Sequence, residues 1–450
     1  MSLINKIINK IIGKLNLSST KENVVRNVVW AVTGKVVTLL GGLLVGIFVA
    51  RYLGPEQYGL MSYVMSYVAL FQVLASFGMD QIEIREESKS PEERDQIIGT
   101  AFTLKIGFAI ITMLLVAITA WIFEADSFTK WMIILYSASM VANSFSVIRN
   151  YFTSLVWNEY IVKTEIIRAF IGAAVKVGLL LIHASLVWFI LATLFDTILI
   201  ASGYLLSYRR KIDSICKWQF KKKIAIYLIQ QSFPLLLSGI TLIVCQKIDQ
   251  IMIGNMLDKT SVAIYAVAGT FVTILGFIPT IITQTMTPLL VQAYRNKEDK
   301  YEQLSQLFLN VTTWIIICIC LIVCAMAGLL IRVTYGIQYI ASIPILQILI
   351  FQEIGYALAQ TSGSLIIVEG KQKIFALRYF IGAILCVSFN YIMIPAFGIT
   401  GAAICGVITA FCTGLFAHIL IPSYRVIFKK QICSLLWGWK DLLNIKLLLK

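Results

Sequence analysis

The chain has 450 residues, 59% of them hydrophobic and 14% charged, with a mean hydropathy of +0.84 and a formal net charge of +15. A soluble domain needs far more polar surface, and no soluble core absorbs so many apolar runs of about eighteen residues or more. The excess charge does not indicate a nucleic-acid partner, because the basic residues sit in short segments between apolar runs rather than along one soluble face.

In chain order, the segment 1–27 comes first. Ile4, Ile7, Ile8, Ile11, Ile12 and Leu15 recur at helical spacing, with Lys6, Lys10 and Lys14 on the other side. Two readings fit it: a basic helix lying on an anionic membrane surface, or a basic tail. It lacks the compact apolar stretch and small-residue cleavage site of a signal peptide. Six apolar spans follow, at roughly 28–50, 58–80, 98–122, 131–155, 161–182 and 186–207. A basic linker at 208–223 separates them from six more, at roughly 229–254, 261–286, 304–331, 343–367, 374–395 and 399–421, and 422–450 forms a basic tail. The expected fold is therefore an all-α polytopic membrane protein of about twelve transmembrane helices, with six-helix bundles at 28–207 and 224–421.

Basic residues set the orientation. With the amino terminus in the cytosol, the cytosolic segments hold 27 of the Lys and Arg residues, and the outer segments hold only Arg51, Lys130, Lys259 and Arg332. An even number of spans with both termini cytosolic is the simple solution. Seven of the nine cysteines lie inside apolar spans and none in an outer loop, so no disulfide or metal site is expected.

The linker divides the chain nearly in half, and the halves are related. Between residues 154–173 and 364–383, nine of twenty positions are identical at a constant offset of 210, including Glu159 and Glu369, Lys163 and Lys373, and Arg168 and Arg378. A fainter echo joins Leu53–Leu60 to Leu257–Ile264. Repeats that follow an even number of spans run in the same direction through the membrane, and transporters with such repeats place the substrate path between them.

Three segments carry a family resemblance. Ala50-Arg51-Tyr52-Leu53-Gly54-Pro55-Glu56-Gln57-Tyr58-Gly59 resembles the first outer loop of bacterial polysaccharide-unit flippases. So does Asn390-Tyr391-Ile392-Met393-Ile394-Pro395-Ala396-Phe397-Gly398-Ile399-Thr400-Gly401. Asp249-Gln250-Ile251-Met252-Ile253-Gly254, followed by Ala263-Ile264-Tyr265-Ala266, is similar to the larger multidrug/oligosaccharidyl-lipid/polysaccharide (MOP) exporter superfamily. The resemblance covers nearly the whole chain. It implies two six-helix bundles around a central cavity that opens alternately to each side. It also implies transport of an undecaprenyl-pyrophosphate-linked oligosaccharide from the cytosolic to the outer leaflet of the bacterial cytoplasmic membrane, for O-antigen, capsule or exopolysaccharide assembly. Partners would be the bilayer and the polysaccharide assembly machinery, with no nucleic acid.

Charges inside the spans are the candidate site residues, because an ionisable group in lipid costs several kcal/mol. Lys105, Arg168 and Arg378 lie near span ends and are expected to snorkel to the headgroups. Lys35, Arg149 and Lys247 lie deeper and are the candidate cations for a pyrophosphate. Asp249, Glu353 and Asp196 are candidates for ion coupling, through H⁺ or Na⁺, or for charge balance. Lys176 is the expected partner of Asp196. Lys247 and Asp249 are two residues apart and point about 200° from each other, so a regular helix should not turn both toward one narrow cavity. Pro234, Pro279 and Pro344 place the expected bends in the second half alone.

No cofactor or metal motif appears, nor any nucleotide-binding or hydrolase motif, which argues against an enzyme. The alternatives are an ion-coupled multidrug exporter of the same superfamily and, from a different class, a membrane glycosyltransferase or polymerase. A lipid II flippase would resemble a fourteen-span build, and 426–450 is too interrupted by Lys429, Lys430, Lys440 and Asp441 to supply two more spans.

Overall fold

The computed structural model describes residues 19–296, 300–371 and 375–440. The expected amphipathic segment lies almost wholly outside these residues, as does the end of the basic tail. Among the described residues the chain is helical throughout and divides into two compact units, one comprising residues up to Tyr52 with Phe71–Leu236, the other Leu53–Leu70 with Leu237 onward. The division falls at Leu236, inside a helix, rather than in the basic linker, and a stretch of the first long helix belongs to the second unit.

The first unit is built from the two ends of α1 (Ser19–Ser76), then α2 (Asp80–Lys89), α3 (Arg94–Phe123), α4 (Ser127–Ser137), α5 (Ser139–Asn143), α6 (Ser146–Ser154), α7 (Asn158–Leu181), α8 (Leu186–Lys211) and the start of α9 (Lys222–Met256). Its core joins Met79 and Ile82 at the start of α2 to Ile98, Val147, Phe152 and Tyr208. The second unit holds the rest of α9, then α10 (Lys259–Leu275), α11 (Phe277–Arg295), α12 (Lys300–Thr334), α13 (Ser342–Leu349), α14 (Gln352–Val368), α15 (Phe375–Phe411), α16 (Ala417–Leu420) and α17 (Arg425–Trp437). Part of its core joins Leu290, Phe308, Leu309, Leu365, Tyr424 and Ile427.

Among the described residues nine helical stretches are long and apolar enough to cross a membrane, against the twelve expected. The difference has local causes. Two of the nine, Gly34–Lys89 and Leu377–Leu420, are 56 and 44 residues long, and the long helix within each is kinked at a glycine outside helical geometry. Gly54 (φ 70°) and Gly398 (φ 60°) occupy the left-handed half of backbone space, where a side chain would be strained. Each belongs to a Gly/Pro motif singled out from the sequence, with Pro55 and Pro395 alongside. Those motifs bend continuous helices rather than forming open loops. The helix α7 is not among the nine, and it carries Glu159, Lys163, Glu165, Arg168 and Lys176 along 24 residues.

Burial follows the logic of a lipid-embedded protein. The most apolar window of Lys300–Thr334 has mean hydropathy 3.0, yet only 22% of it is buried. Leu114, Ile118, Trp121, Leu321 and Leu329 are each more than half exposed. Such surface is stable when hydrocarbon covers it.

The helix breaks are not confined to the second half. Pro279 and Pro344 fall in the first turns of α11 and α13, where a missing N–H costs no helical hydrogen bond. Pro234 and Pro288 lie inside helices. The fourth span of the first half is also interrupted twice, between α4, α5 and α6, without any proline.

The tail contains structure as well. The helix α17 packs along α12: Trp314 Nε1 donates to Ser434 O (2.8 Å), and Lys430 Nζ reaches Glu302 (2.6 Å) and Ser305 Oγ (2.8 Å). Gln431 is fully buried: its Oε1 accepts from His418 Nδ1 (2.9 Å), and its Nε2 donates to Leu358 O and Gly414 O.

Candidate functional site

The second unit encloses a cavity of about 590 Å³. Its wall combines the 53–70 stretch of α1 with α9, α10 and α14, and most of its polar groups are neutral. Gln246, Gln250, Gln352 and Gln360 supply carboxamides, Ser62, Ser66, Thr270 and Thr273 aliphatic hydroxyls, and Tyr58 and Tyr356 phenols. Helical spacing explains the convergence: Gln246 and Gln250 are one turn apart on α9, and Gln352, Tyr356 and Gln360 succeed one another at four-residue steps along one face of α14.

Close packing holds this wall in place. Gly59 lies against the backbone of Lys259, and Gly254 against the Tyr63 ring, so closely that a Cβ at either position would collide. Tyr63 OH donates to Asn255 Oδ1 (2.6 Å), and Ser66 Oγ to Gln250 Oε1 (2.5 Å). Gln360 Nε2 donates to Thr280 Oγ1 (3.1 Å).

Three of the six candidate residues meet in this cavity: Lys247, Asp249 and Glu353. Both Lys247 and Asp249 line it, contrary to the sequence expectation. The cavity is wide enough to reach round α9, which lines it with every position from 245 to 250 except Ile248. Asp249 is buried and well held. It accepts from Tyr265 OH (2.6 Å), Asn390 Nδ2 (2.6 Å) and Cys386 Sγ (3.4 Å). Glu353 is buried with Oε2 lacking a hydrogen-bond partner, and that oxygen faces Gly276, where a Cβ would stand 3.1 Å away.

The other three lie in the first unit. Lys35 is exposed. Arg149 is half exposed, with Nε 3.6 Å from Glu165. Asp196 pairs with Lys176 at 2.6 Å. No cavity described for the first unit includes any of the three. The first unit has its own smaller cavity, of about 280 Å³, lined by Gln72, Ser76, Asp80, Lys105, Asn143 and Ser146.

Two of the residues expected to snorkel do not. Lys105 is 1% exposed, with Nζ 2.7 Å from Asp80 Oδ1 and 2.8 Å from Glu83 Oε1. Arg378 is fully buried, with its guanidinium donating to Ala359 O (3.0 Å), Ser362 Oγ (3.3 Å) and Tyr379 OH (3.0 Å), beside His418. Both sit where neighbouring helices supply acceptors, which removes the need to reach the headgroups. Arg168, its repeat partner, is only half-buried.

The sequence reading missed the neutral wall of the large cavity and the acidic partners of Lys105. Signals existed for both. The glutamines and tyrosine of α14 share a helical face, and Asp80, Glu83 and Glu87 recur at three- and four-residue intervals.

Comparison with known proteins fits this geometry. Residues 48–344 match the model of a family described as polysaccharide biosynthesis protein. The chain belongs to this family. A Shigella flexneri protein named as an O-antigen transporter is 30% identical over 159 residues, 35% of this chain; the match spans 37% of that protein's length. Among solved structures, the fold is similar to the lipid II flippase MurJ in an inward closed conformation (TM-score 0.67, 16% identity, 93% of each chain). It is also similar to an inward-facing multidrug resistance MATE family transporter of the MOP superfamily (TM-score 0.64, 16% identity, 91% of this chain and 95% of that one). A Pyrococcus furiosus transporter of that superfamily, described as having a binding pocket of reversed polarity, gives a TM-score of 0.59 at 14% identity over 95% of this chain and 96% of that one. With nine apolar stretches long enough to cross a membrane among its described residues, the chain is a multi-pass membrane protein of this family that shares the fold of these solved structures.

Proposed function

We propose that this transporter flips an undecaprenyl-pyrophosphate-linked oligosaccharide from the cytosolic to the outer leaflet of the bacterial cytoplasmic membrane, by alternating access, during O-antigen, capsule or exopolysaccharide assembly. One observation carries the reading: the cavity of the second unit is walled mainly by carboxamides and hydroxyls, with Lys247 the one cation among the described residues that line it. A sugar presents closely spaced hydroxyls that both donate and accept. Gln, Ser, Thr and Tyr match that pattern without a fixed charge. Lys247 supplies the positive point charge for a pyrophosphate oxygen.

Lys35 and Arg149 are exposed cations of the first unit and are assigned to the same substrate's phosphates. Asp249 and Glu353 are assigned to a coupling H⁺ or Na⁺, and Asp196 to balancing Lys176. Basic residues in alternate connecting segments support an orientation with both termini in the cytosol.

The test is deletion of the gene in its own strain, followed by restoration with wild-type or Lys247→Gln protein. Lipid-linked oligosaccharide should accumulate facing the cytosol in the deletion strain, and surface polysaccharide should return only with the wild type. Intact polysaccharide combined with increased sensitivity to cationic drugs would replace this reading with multidrug export.

A further inference from the structure

We infer that α2 carries a proton-binding site in the first unit, formed by Glu83 and Glu87 and reached through Asp80. Asp80, Glu83 and Glu87 are spaced three and four residues apart, which places them along one face of the helix. Glu83 is 0% exposed and Glu87 2% exposed. Asp80 differs: its side chain is 48% exposed and borders the 280 Å³ cavity. The three carboxyl groups thus form a ladder running from a polar cavity into the packed interior.

The partners of this ladder are unevenly shared. Lys105 Nζ binds Asp80 Oδ1 (2.7 Å) and both oxygens of Glu83 (2.8 and 3.0 Å), and it also donates to Ser146 Oγ (3.2 Å). Asn150 Nδ2 bridges Asp80 Oδ1 (2.9 Å) and Glu83 Oε2 (2.6 Å). Neither oxygen of Glu87 has a hydrogen-bond partner. Ser154 stands beside it but gives its hydroxyl to Tyr151 O (2.7 Å). Glu83 lies one helical turn away on the same face, so its charge opposes ionisation of Glu87.

The remaining charged groups do not fill the gap. From α6, Arg149 acts on Asp80, and Tyr151 stands near Glu87 with its hydroxyl toward Arg94. Arg85 and Glu86 pair with each other and with Tyr227 of α9 on another face of α2. With every carboxyl group ionised, one buried ammonium would face three carboxylates. A buried carboxylate without donors is untenable, whereas a carboxylic acid is tolerated.

A proton fits this space, and a metal cation does not. The cavity touches Asp80 and Lys105 but neither Glu83 nor Glu87. Among the described residues no group of His, Cys, Asp or Glu side chains is placed to supply the several ligands that a metal cation requires. Asp80, in contact with the cavity, provides the entry point, and Glu83 lies between it and Glu87. The site is separate from Asp249 and Glu353 and does not depend on the identity of the transported molecule.

Infrared difference spectroscopy of the full-length protein in lipid nanodiscs tests this site. Wild-type protein at neutral pH should show the C=O band of a protonated, water-inaccessible carboxyl group. Glu87→Gln, a neutral isostere of the protonated acid, should lose that band and keep the melting temperature, while Asp80→Asn should retain the band. Persistence of the band in Glu87→Gln would overturn the assignment. So would failure of Glu87→Gln to fold, or removal of the band by Na⁺ at constant pH.

Discussion

In the first unit, a cavity of about 280 Å³ meets Asp80 and Lys105, whose charges are bound to one another. In the second, a cavity of about 590 Å³ meets four glutamines and a set of hydroxyls, with Lys247 the one cation among the described residues that line it. Each unit holds one copy of the segment repeated at offset 210, yet the two differ in what they bury. Where charge pairs are buried and closed, the cavity is small and its cation is committed to carboxylates. Where neutral polar groups line the wall, hydrogen-bonding capacity is left for something else. The repeated arginines diverge in the same way, for Arg378 is wholly enclosed by backbone and side-chain acceptors, while Arg168 is half-buried.

The sharpest break in the comparison comes from exchanging the two lysines. Replacing Lys105 with Met strands Asp80 and Glu83, and losing one partner of a buried pair costs about 3–5 kcal/mol. Lys105→Met should therefore fail to accumulate in the membrane or should melt far below the wild type. Lys247→Met should fold normally. Equal melting temperatures for the two variants, measured in one detergent, would erase the distinction.

Transport should divide the other way. Loss of a hydrogen bond to a charged group costs about 1.5–3 kcal/mol, roughly 10- to 100-fold in affinity. Lys247→Gln should weaken binding of a lipid-linked oligosaccharide by that factor, measured by titration in nanodiscs. A neutral hydrogen bond contributes about 1 kcal/mol, roughly fivefold. Gln360→Leu should therefore weaken binding about fivefold with little effect on stability, whereas Asn143→Leu at the first-unit cavity should leave it unchanged.

The smallest effect is expected outside the membrane, in the basic linker. The Lys217 ammonium at 2.6 Å, together with the Ser214 N–H, holds the Asp213 carboxyl group below its ordinary range. A lowered carboxyl pKa contributes stability above the unfolded value, and that contribution is lost as pH falls through the folded one. Because Asp213 and Lys217 both stay in contact with water, solvent screens the pair. Asp213→Asn should lower the melting temperature at pH 7 only marginally and flatten its decline in acid by the same small margin. A clear drop at pH 7 would show that the linker contributes to packing.

The sequence exposed much of the fold because lipid imposes its own periodicity. Long apolar runs, the basic segments between them and the repeat at offset 210 are all local signals. What it hid depends on neighbours. The run Leu53-Gly54-Pro55 reads as a loop, but the chain bends there without leaving its helix, since Gly54 alone takes the left-handed conformation. Lys105 reads as a snorkelling lysine until α2 and α6 are seen to surround it with Asp80, Glu83 and Asn150. Of the candidate site, Lys247, Asp249 and Glu353 were visible because ionisable residues stand out in apolar runs. The glutamines and tyrosines around them carry no charge, and only the packing of α9, α10 and α14 collects them.

Where the oligosaccharide binds distinguishes the two cavities most directly. A photo-crosslinking residue placed at position 360, or separately at position 143, can be tested in membranes that make the lipid-linked precursor, with adducts read by mass spectrometry. Sugar-bearing adducts at position 360 and none at 143 are the predicted result. Adducts at 143 alone, or at neither position while transport continues, would contradict the assignment of the second-unit cavity to the oligosaccharide.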